Sequence, residues 1–189
     1  MVRVVLLLPW LISPIASGLM WRFLLGSETG FPTYLLRTLG LSAVSSSLSQ
    51  PGLALPAAML VETWRVAPLV GFLLLPGLSA IPAERWEDAR LDGLSWLATV
   101  RHVALPAMRP LMLAVTLLLI GGALATFDAI LTMTSGGPGT DTLTPALYSY
   151  DQAFTFSNWP LGAASGWLIG GAVLAVGLAY LRLSRAPAR

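Results

Sequence analysis

The sequence predicts an all-α integral membrane protein, and three observations carry that expectation. Of 189 residues, 56% are hydrophobic and only 11% charged, against roughly 45–50% and 25% in soluble globular chains. The apolar residues gather into long blocks instead of alternating at surface intervals, so a single water-soluble core would not use them. The charges are equally uneven: eleven basic residues, all arginine, and nine acids concentrate between the blocks. Cysteine is absent and His102 is the only histidine, which leaves neither thiolate nor histidine-built metal or catalytic clusters. A net charge of +2, thinly spread, gives no basic footprint for nucleic acid.

A bilayer core of ~30 Å takes ~20 apolar residues at 1.5 Å each, and four blocks reach or approach that length. The first, about residues 4–21, starts at Val4 between Arg3 and Arg22 and carries Pro9 and Pro14, so it is short and open to kinking. With its SPIASG segment it is also similar to a secretory signal peptide. The second, about residues 53–78, contains Glu62 and Arg65. Three apart, they share a helical face, and unpaired charges in lipid cost at least ~2.5–3.5 kcal/mol each, so pairing or a wet interior is expected. The third, about residues 111–131, reads LMLAVTLLLIGGALATFDAIL with one late acid, Asp128, expected near the outer surface. In the fourth, about residues 161–181, Gly162, Gly166, Gly170 and Gly171 lie at near-helical spacing, which lets another helix approach closely.

Between the blocks, residues 26–52 hold turn formers with Glu28 and Arg37 as the only charges, and residues 132–160 hold SGGPGTDT and an aromatic run without one basic residue. The 79–109 loop instead carries Arg85, Arg90, Arg101 and Arg109. The positive-inside rule therefore makes this loop cytoplasmic and the other two external. Both termini, with Arg3 at one end and Arg182, Arg185 and Arg189 at the other, then fall on the cytoplasmic side, and Trp159 and the nearby tyrosines fall at the outer interface.

The 79–109 loop reads as helix, turn, helix. Pro82 can open a helix, Glu84 and Glu87 suit its positive end, and Gly93 stops it. Ser95 can cap a second short helix that must end before Pro106. Glu87, Asp88, Arg90 and Asp92 mix with Trp86, Ala89, Leu91 and Leu94; this pattern fits a protein-docking surface and an amphipathic connector lying on lipid headgroups equally well.

Five ordered segments then carry a resemblance. Glu87, Ala89, Asp92 and Gly93, followed by Leu105 and Pro106, resemble the E-A-A-x-x-D-G motif and downstream L-P of bacterial ABC importer permeases. LPWLISPIASGLMWRFLLGSETG, ETWRVAP, FDAILTMTSGGPGTDT and the stretch from Tyr148 to Ala164 are similar to segments of the carbohydrate-uptake branch, the maltose and glycerol-3-phosphate type. LPWLISP is thereby matched to an internal helix instead of a signal peptide. Two positions depart from the motif: Asp88 stands where the family usually has alanine, and Leu94 replaces a small residue.

The resemblance implies four spanning helices of a six-helix permease core, as a single domain over 1–189. It implies a cytoplasmic loop, 79–109, whose coupling helix docks in a separate ABC ATPase subunit through Glu87, Asp88, Ala89, Arg90, Asp92, Gly93, Leu105 and Pro106. It implies a second permease subunit, an extracytoplasmic solute-binding protein and a multi-pass place among the lipids of the bacterial inner membrane. No catalysis is expected of this chain: ATP and Mg belong to the partner, and G-x-x-x-x-G-K-S/T is absent from a chain without lysine. Glu62, Trp64, Arg65 and Phe127 are the candidates for a translocation path. Glu62 and Arg65 fit a structural ion pair as well, and Trp64, Phe72, Phe127 and Trp167 fit ordinary helix packing as well as sugar stacking. Family permeases start about two spanning helices earlier, so the reading includes a late-called start, and as its alternative a truncated, non-transporting fragment acting as an interaction or regulatory membrane protein.

Overall fold

The computed structural model describes residues 6–26, 30, 34, 35, 38 and 48–184, and every regular element among them is helical. Arg3, Val4, Glu28, Arg37, Arg185 and Arg189, which the topology reading uses, lie outside the described residues. In chain order the helices are α1 (Leu8–Leu11), α2 (Pro14–Leu25), α3 (Ala54–Ser79), α4 (Ala83–Leu91), α5 (Trp96–Thr99), α6 (Leu105–Ala125), α7 (Asp128–Met133), α8 (Pro145–Tyr150) and α9 (Trp159–Ser184). A π-helical turn, Val100–Ala104, joins α5 to α6, and another, Asp151–Thr155, follows α8.

Three of these runs are long and apolar enough to cross a bilayer: Ala54–Ser79, Trp96–Ala125 and Trp159–Tyr180. The first predicted span is not one of them. Ile12 is extended at φ −70° and ψ 130°, and Pro14 starts α2, so the block is a four-residue and a twelve-residue helix. Proline supplies no N–H and crowds the carbonyl four residues back, so Pro14 opens a helix instead of continuing one.

The third span differs at both ends from the expected 111–131. It begins at Trp96, because the helix capped by Ser95 runs through Pro106 instead of ending before it. Leu105 stays helical at φ −59° and ψ −46°, and its N–H bonds the Val100 carbonyl five residues back. The π turn shifts the hydrogen-bond register just where Pro106 has no donor to offer. At the other end α6 stops at Ala125, and Phe127, at φ −142°, precedes the separate helix α7. Asp128 opens α7, where its charge meets the positive helix end.

The chain divides into two compact units, residues 1–68 with 122–172 and residues 69–121 with 173–189. Within the first, α2 packs on α7. Gly18 is the point of closest approach: a Cβ there would fall 2.6 Å from the Ala129 carbonyl oxygen and collide with Thr132 Oγ1. One turn further, Arg22 donates to the Thr132 carbonyl at 3.3 Å. Ala58 and Val61 of α3 and Met133 of α7 form the core of this unit, with Trp21 and Leu25 against them. Within the second, Ile81, Ala104 and Met108 form a core with Leu74, Trp86, Val103 and Met112 around it.

These cores are small for the apolar surface available. The most apolar window of α3 buries 11% of its residues and that of α9 only 6%. Helices satisfy their own backbone groups, so lipid can cover such faces at no hydrogen-bonding cost.

Candidate functional site

The α4–α5 segment is built by local signals. Pro82 holds the N-cap position, Glu84 lies in the first turn and Arg90 in the last, so both charges oppose the helix dipole. Gly93 terminates α4 at φ +68°, a conformation that side chains with a Cβ resist. Its N–H bonds the Arg90 carbonyl at 3.1 Å and the Leu94 N–H bonds the Ala89 carbonyl at 3.0 Å, which together make a Schellman stop. Ser95 then caps α5, its Oγ accepting from the Ala98 N–H at 3.4 Å.

Of the residues expected to dock a partner, Glu87, Asp88, Arg90, Asp92, Gly93, Leu105 and Pro106 are exposed, and Ala89 is buried beneath them. Trp86 packs on the core of its unit. Leu91, in contrast, is 86% exposed, and Trp96 and Leu97 are exposed beside it, an apolar fringe around a charged center. Arg85, Asp88, Ala89, Asp92, Leu94, His102 and Val103 line an open cleft of about 240 Å³. His102 Nδ1 lies 2.9 Å from the Ala98 carbonyl.

The other charged site lies within α3. Arg65 donates twice to Glu62 Oε2, from Nη2 at 2.9 Å and from Nε at 3.1 Å, and the side chains are only 14% and 23% exposed. This is the sole ion pair among the described residues. Trp64, on the same turn, meets Trp21 of α2 edge to face with centroids 5.4 Å apart. Ser17 and Trp21 of α2 were not singled out from sequence, although Ser17 Oγ and Trp21 Nε1 are buried without a hydrogen-bond partner among the described residues. Their i, i+4 spacing beside Gly18 was the available signal.

Phe127 is not brought to the pair. It stacks on Tyr150, which contacts Phe154, which contacts Trp159, each step with centroids 5.1 Å apart. The ring faces are largely used by one another, so this column reads first as packing between α7, α8 and the start of α9. Phe72 is exposed and Trp167 is 83% exposed, and neither belongs to a ring contact among the described residues.

Comparisons with known proteins agree with this architecture. The chain is 31% identical over 183 residues to the trehalose/maltose transport system permease protein MalF of Thermococcus litoralis, covering 97% of this chain and 61% of that protein. It is 28% identical to the trehalose transport system permease protein SugA of Mycobacterium tuberculosis, covering 100% and 59%. It is 29% identical to the sulfoquinovosyl glycerol transport system permease protein SmoG of Agrobacterium fabrum, covering 97% and 59%. The chain thus spans about three fifths of the length of the curated relatives it matches. Its fold is that of a chain in the crystal structure of a bacterial ABC transporter importing alginate, with a TM-score of 0.86 at 22% identity, covering 100% of this chain and 66% of that one. The profile of one family matches residues 1–186, and the chain belongs to that family, the binding-protein-dependent transport system inner membrane components.

Proposed function

We propose that the chain is the membrane-spanning subunit of a binding-protein-dependent ABC importer, moving a sugar or related polyol across the cytoplasmic membrane by ATP-driven alternating access. The observation that carries this reading is the uncommitted charge between two membrane-length helices. Glu87, Asp88, Arg90 and Asp92 are exposed and make no ion pair among the described residues. A segment that packs inward through Trp86 and Ala89, carries charges with no ion pair among the described residues and ends in the Gly93 turn suits a surface that another subunit completes. The names of the curated relatives, trehalose and maltose permeases among them, support a sugar as cargo.

In this reading ATP and Mg act on a separate ATPase subunit. Closure of the ATPase dimer draws in the segments docked on it, and the two permease subunits rotate to expose the path to the other side. Glu87 faces a basic residue of the ATPase, with Asp88 widening the negative surface where relatives of this type carry alanine. Gly93, Leu105 and Pro106 shape the link to the span. Because the helix from Trp96 to Ala125 is continuous, a displacement at its exposed end moves the span with it. The 79–109 loop and both termini lie on the cytoplasmic side, an arrangement that requires α1 and α2 to cross the bilayer together as a broken helix, and the solute arrives on an extracytoplasmic binding protein. Glu62, Trp64, Arg65 and Phe127 are the polar and aromatic candidates for the path.

Purification of the tagged chain from its native membranes, with mass-spectrometric identification of what co-elutes, tests the reading. An ABC ATPase, a second permease and a solute-binding protein are expected. Recovery of the folded chain without any ATPase contradicts it.

A further inference from the structure

A row of exposed residues runs along α6 and the π turn that leads into it, at every fourth position: Arg101, Leu105, Arg109 and Leu113. Ala104 and Met108, next to that row in sequence, are buried in the core of their unit, so the row faces away from the protein. In the same unit, the Tyr180 hydroxyl of α9 donates to the Pro110 carbonyl of α6 at 3.5 Å. Pro110 follows Arg109, and the exposed Arg182 follows Tyr180 by two residues. That bond keeps Arg109 and Arg182 at neighbouring levels. Lengths along the helices agree with it. Arg109 stands ~24 Å and Arg101 ~36 Å from Ala125 at the far end of α6, and Arg182 stands ~34 Å from Trp159 at the start of α9. With a bilayer core of ~30 Å, and ~40–45 Å including headgroups, the three arginines straddle the inner boundary of the hydrocarbon.

None of them forms an ion pair among the described residues, where Glu62 with Arg65 is the sole pair. Of the nine acids in the chain, only Glu28 lies outside the described residues, and the sequence puts it in the external 26–52 segment. No carboxylate side chain on the cytoplasmic side therefore balances these arginines. An arginine beside hydrocarbon is costly unless its charge is met, and its long stem can carry the guanidinium out to the headgroup layer. The counter-charge there is the lipid phosphate, which a guanidinium grips through two parallel hydrogen bonds. The exposed Leu105 and Leu113, which share the row with Arg109, suit acyl chains and not the face of a water-soluble partner. We infer that Arg101, Arg109 and Arg182 hold the phosphates of anionic phospholipid in the cytoplasmic leaflet and so fix the depth of α6 and α9. The inference rests on the inward placement of the 79–109 loop in the reading above, and it concerns a different row of residues from the docking surface on α4.

Phosphatidylglycerol and phosphatidylcholine, which differ in headgroup charge, are the probes. The assembled transporter is purified from its native membranes and placed in nanodiscs of the two lipids in equal amounts, and the lipids retained on this subunit are counted by native mass spectrometry. Phosphatidylglycerol is expected to be retained in preference. Arg109→Gln and Arg182→Gln should each reduce that preference about tenfold, the loss of one charge-assisted contact. Arg85→Gln, which removes the same charge from α4, should leave it unchanged. Equal retention of the two lipids by the unmodified complex overturns the inference, whatever the variants do. An equal loss in Arg85→Gln also overturns it, because the preference would then follow diffuse charge. Release of phosphatidylglycerol by inorganic phosphate would assign the arginines to a free anion and overturn it as well. An unmodified complex that retains no ATPase removes the permease reading, and the lipid count on the chain is read independently of that result. Retention of the ATPase without lipid preference removes only the present inference.

Discussion

Two charged regions of this chain treat their charge in opposite ways. Within α3, Glu62 and Arg65 are held against each other by two hydrogen bonds and mostly withdrawn from the surface. Across α4 and the Gly93 turn, Glu87, Asp88, Arg90 and Asp92 stand exposed with no ion pair among the described residues. The first arrangement is what a low-dielectric setting enforces, because an unpaired ion there is costly. The second is affordable only in water or against a partner. The contrast is that Glu62 and Arg65 satisfy each other within α3, while Glu87, Asp88 and Asp92 find no ion partner among the described residues and so remain available to the docking proposed above.

Breaking the interior pair should give the largest effect on stability. Arg65→Met strands Glu62, and the expected loss is about 3–5 kcal/mol, read as thermal unfolding of the purified complex. Adding Glu62→Gln should recover most of it, since two neutral groups remove the stranded charge. A single variant as stable as the wild type would mean that the pair is solvated and the contrast is false.

Next in size is the close approach of α2 to α7. Gly18→Leu places atoms on Ala129 and Thr132 and should cost about 1–3 kcal/mol by overpacking, with α2 pushed off α7. Smaller still, Gly93→Ala should cost about 1 kcal/mol, because a Cβ there meets nothing within 4 Å and only the positive φ is penalised. Gly93→Asn should cost less, since asparagine tolerates that region. Smallest is Glu87→Gln, expected within about 0.5 kcal/mol of wild type in Tm-derived stability, as for an exposed side chain away from special features. A large loss there would assign Glu87 to the fold and erase the distinction between the regions.

Much of the α4–α5 segment was legible in the sequence because its signals are local: Pro82 before the helix, Glu84 in its first turn, Gly93 at its stop and Ser95 as the next cap. The spans α3 and α9 were legible from length and hydropathy alone. The passage of the helix through Pro106 was not, since a π turn is a register choice that no residue type announces. The first block showed its two prolines, yet whether Pro14 bends or breaks a helix depends on how the backbone of Ser13 and Ile12 is held. Asp128 moved from a span to the start of α7 because Phe127 breaks the helix, a tertiary outcome. Ser17 and Trp21 became notable only once Gly18 had brought α2 onto its neighbours. In the candidate site, therefore, the exposed surface was readable and the buried polar groups of α2 were not.

The central claim is that the exposed charge of α4 recognises a partner and leaves the fold alone. Glu87→Lys tests it most directly, by comparing ATPase co-purification, solute uptake and Tm in parallel with the wild type. The account predicts an unchanged Tm with loss of the bound ATPase or of ATP-coupled uptake. Full retention of both the ATPase and uptake in the folded variant would contradict it.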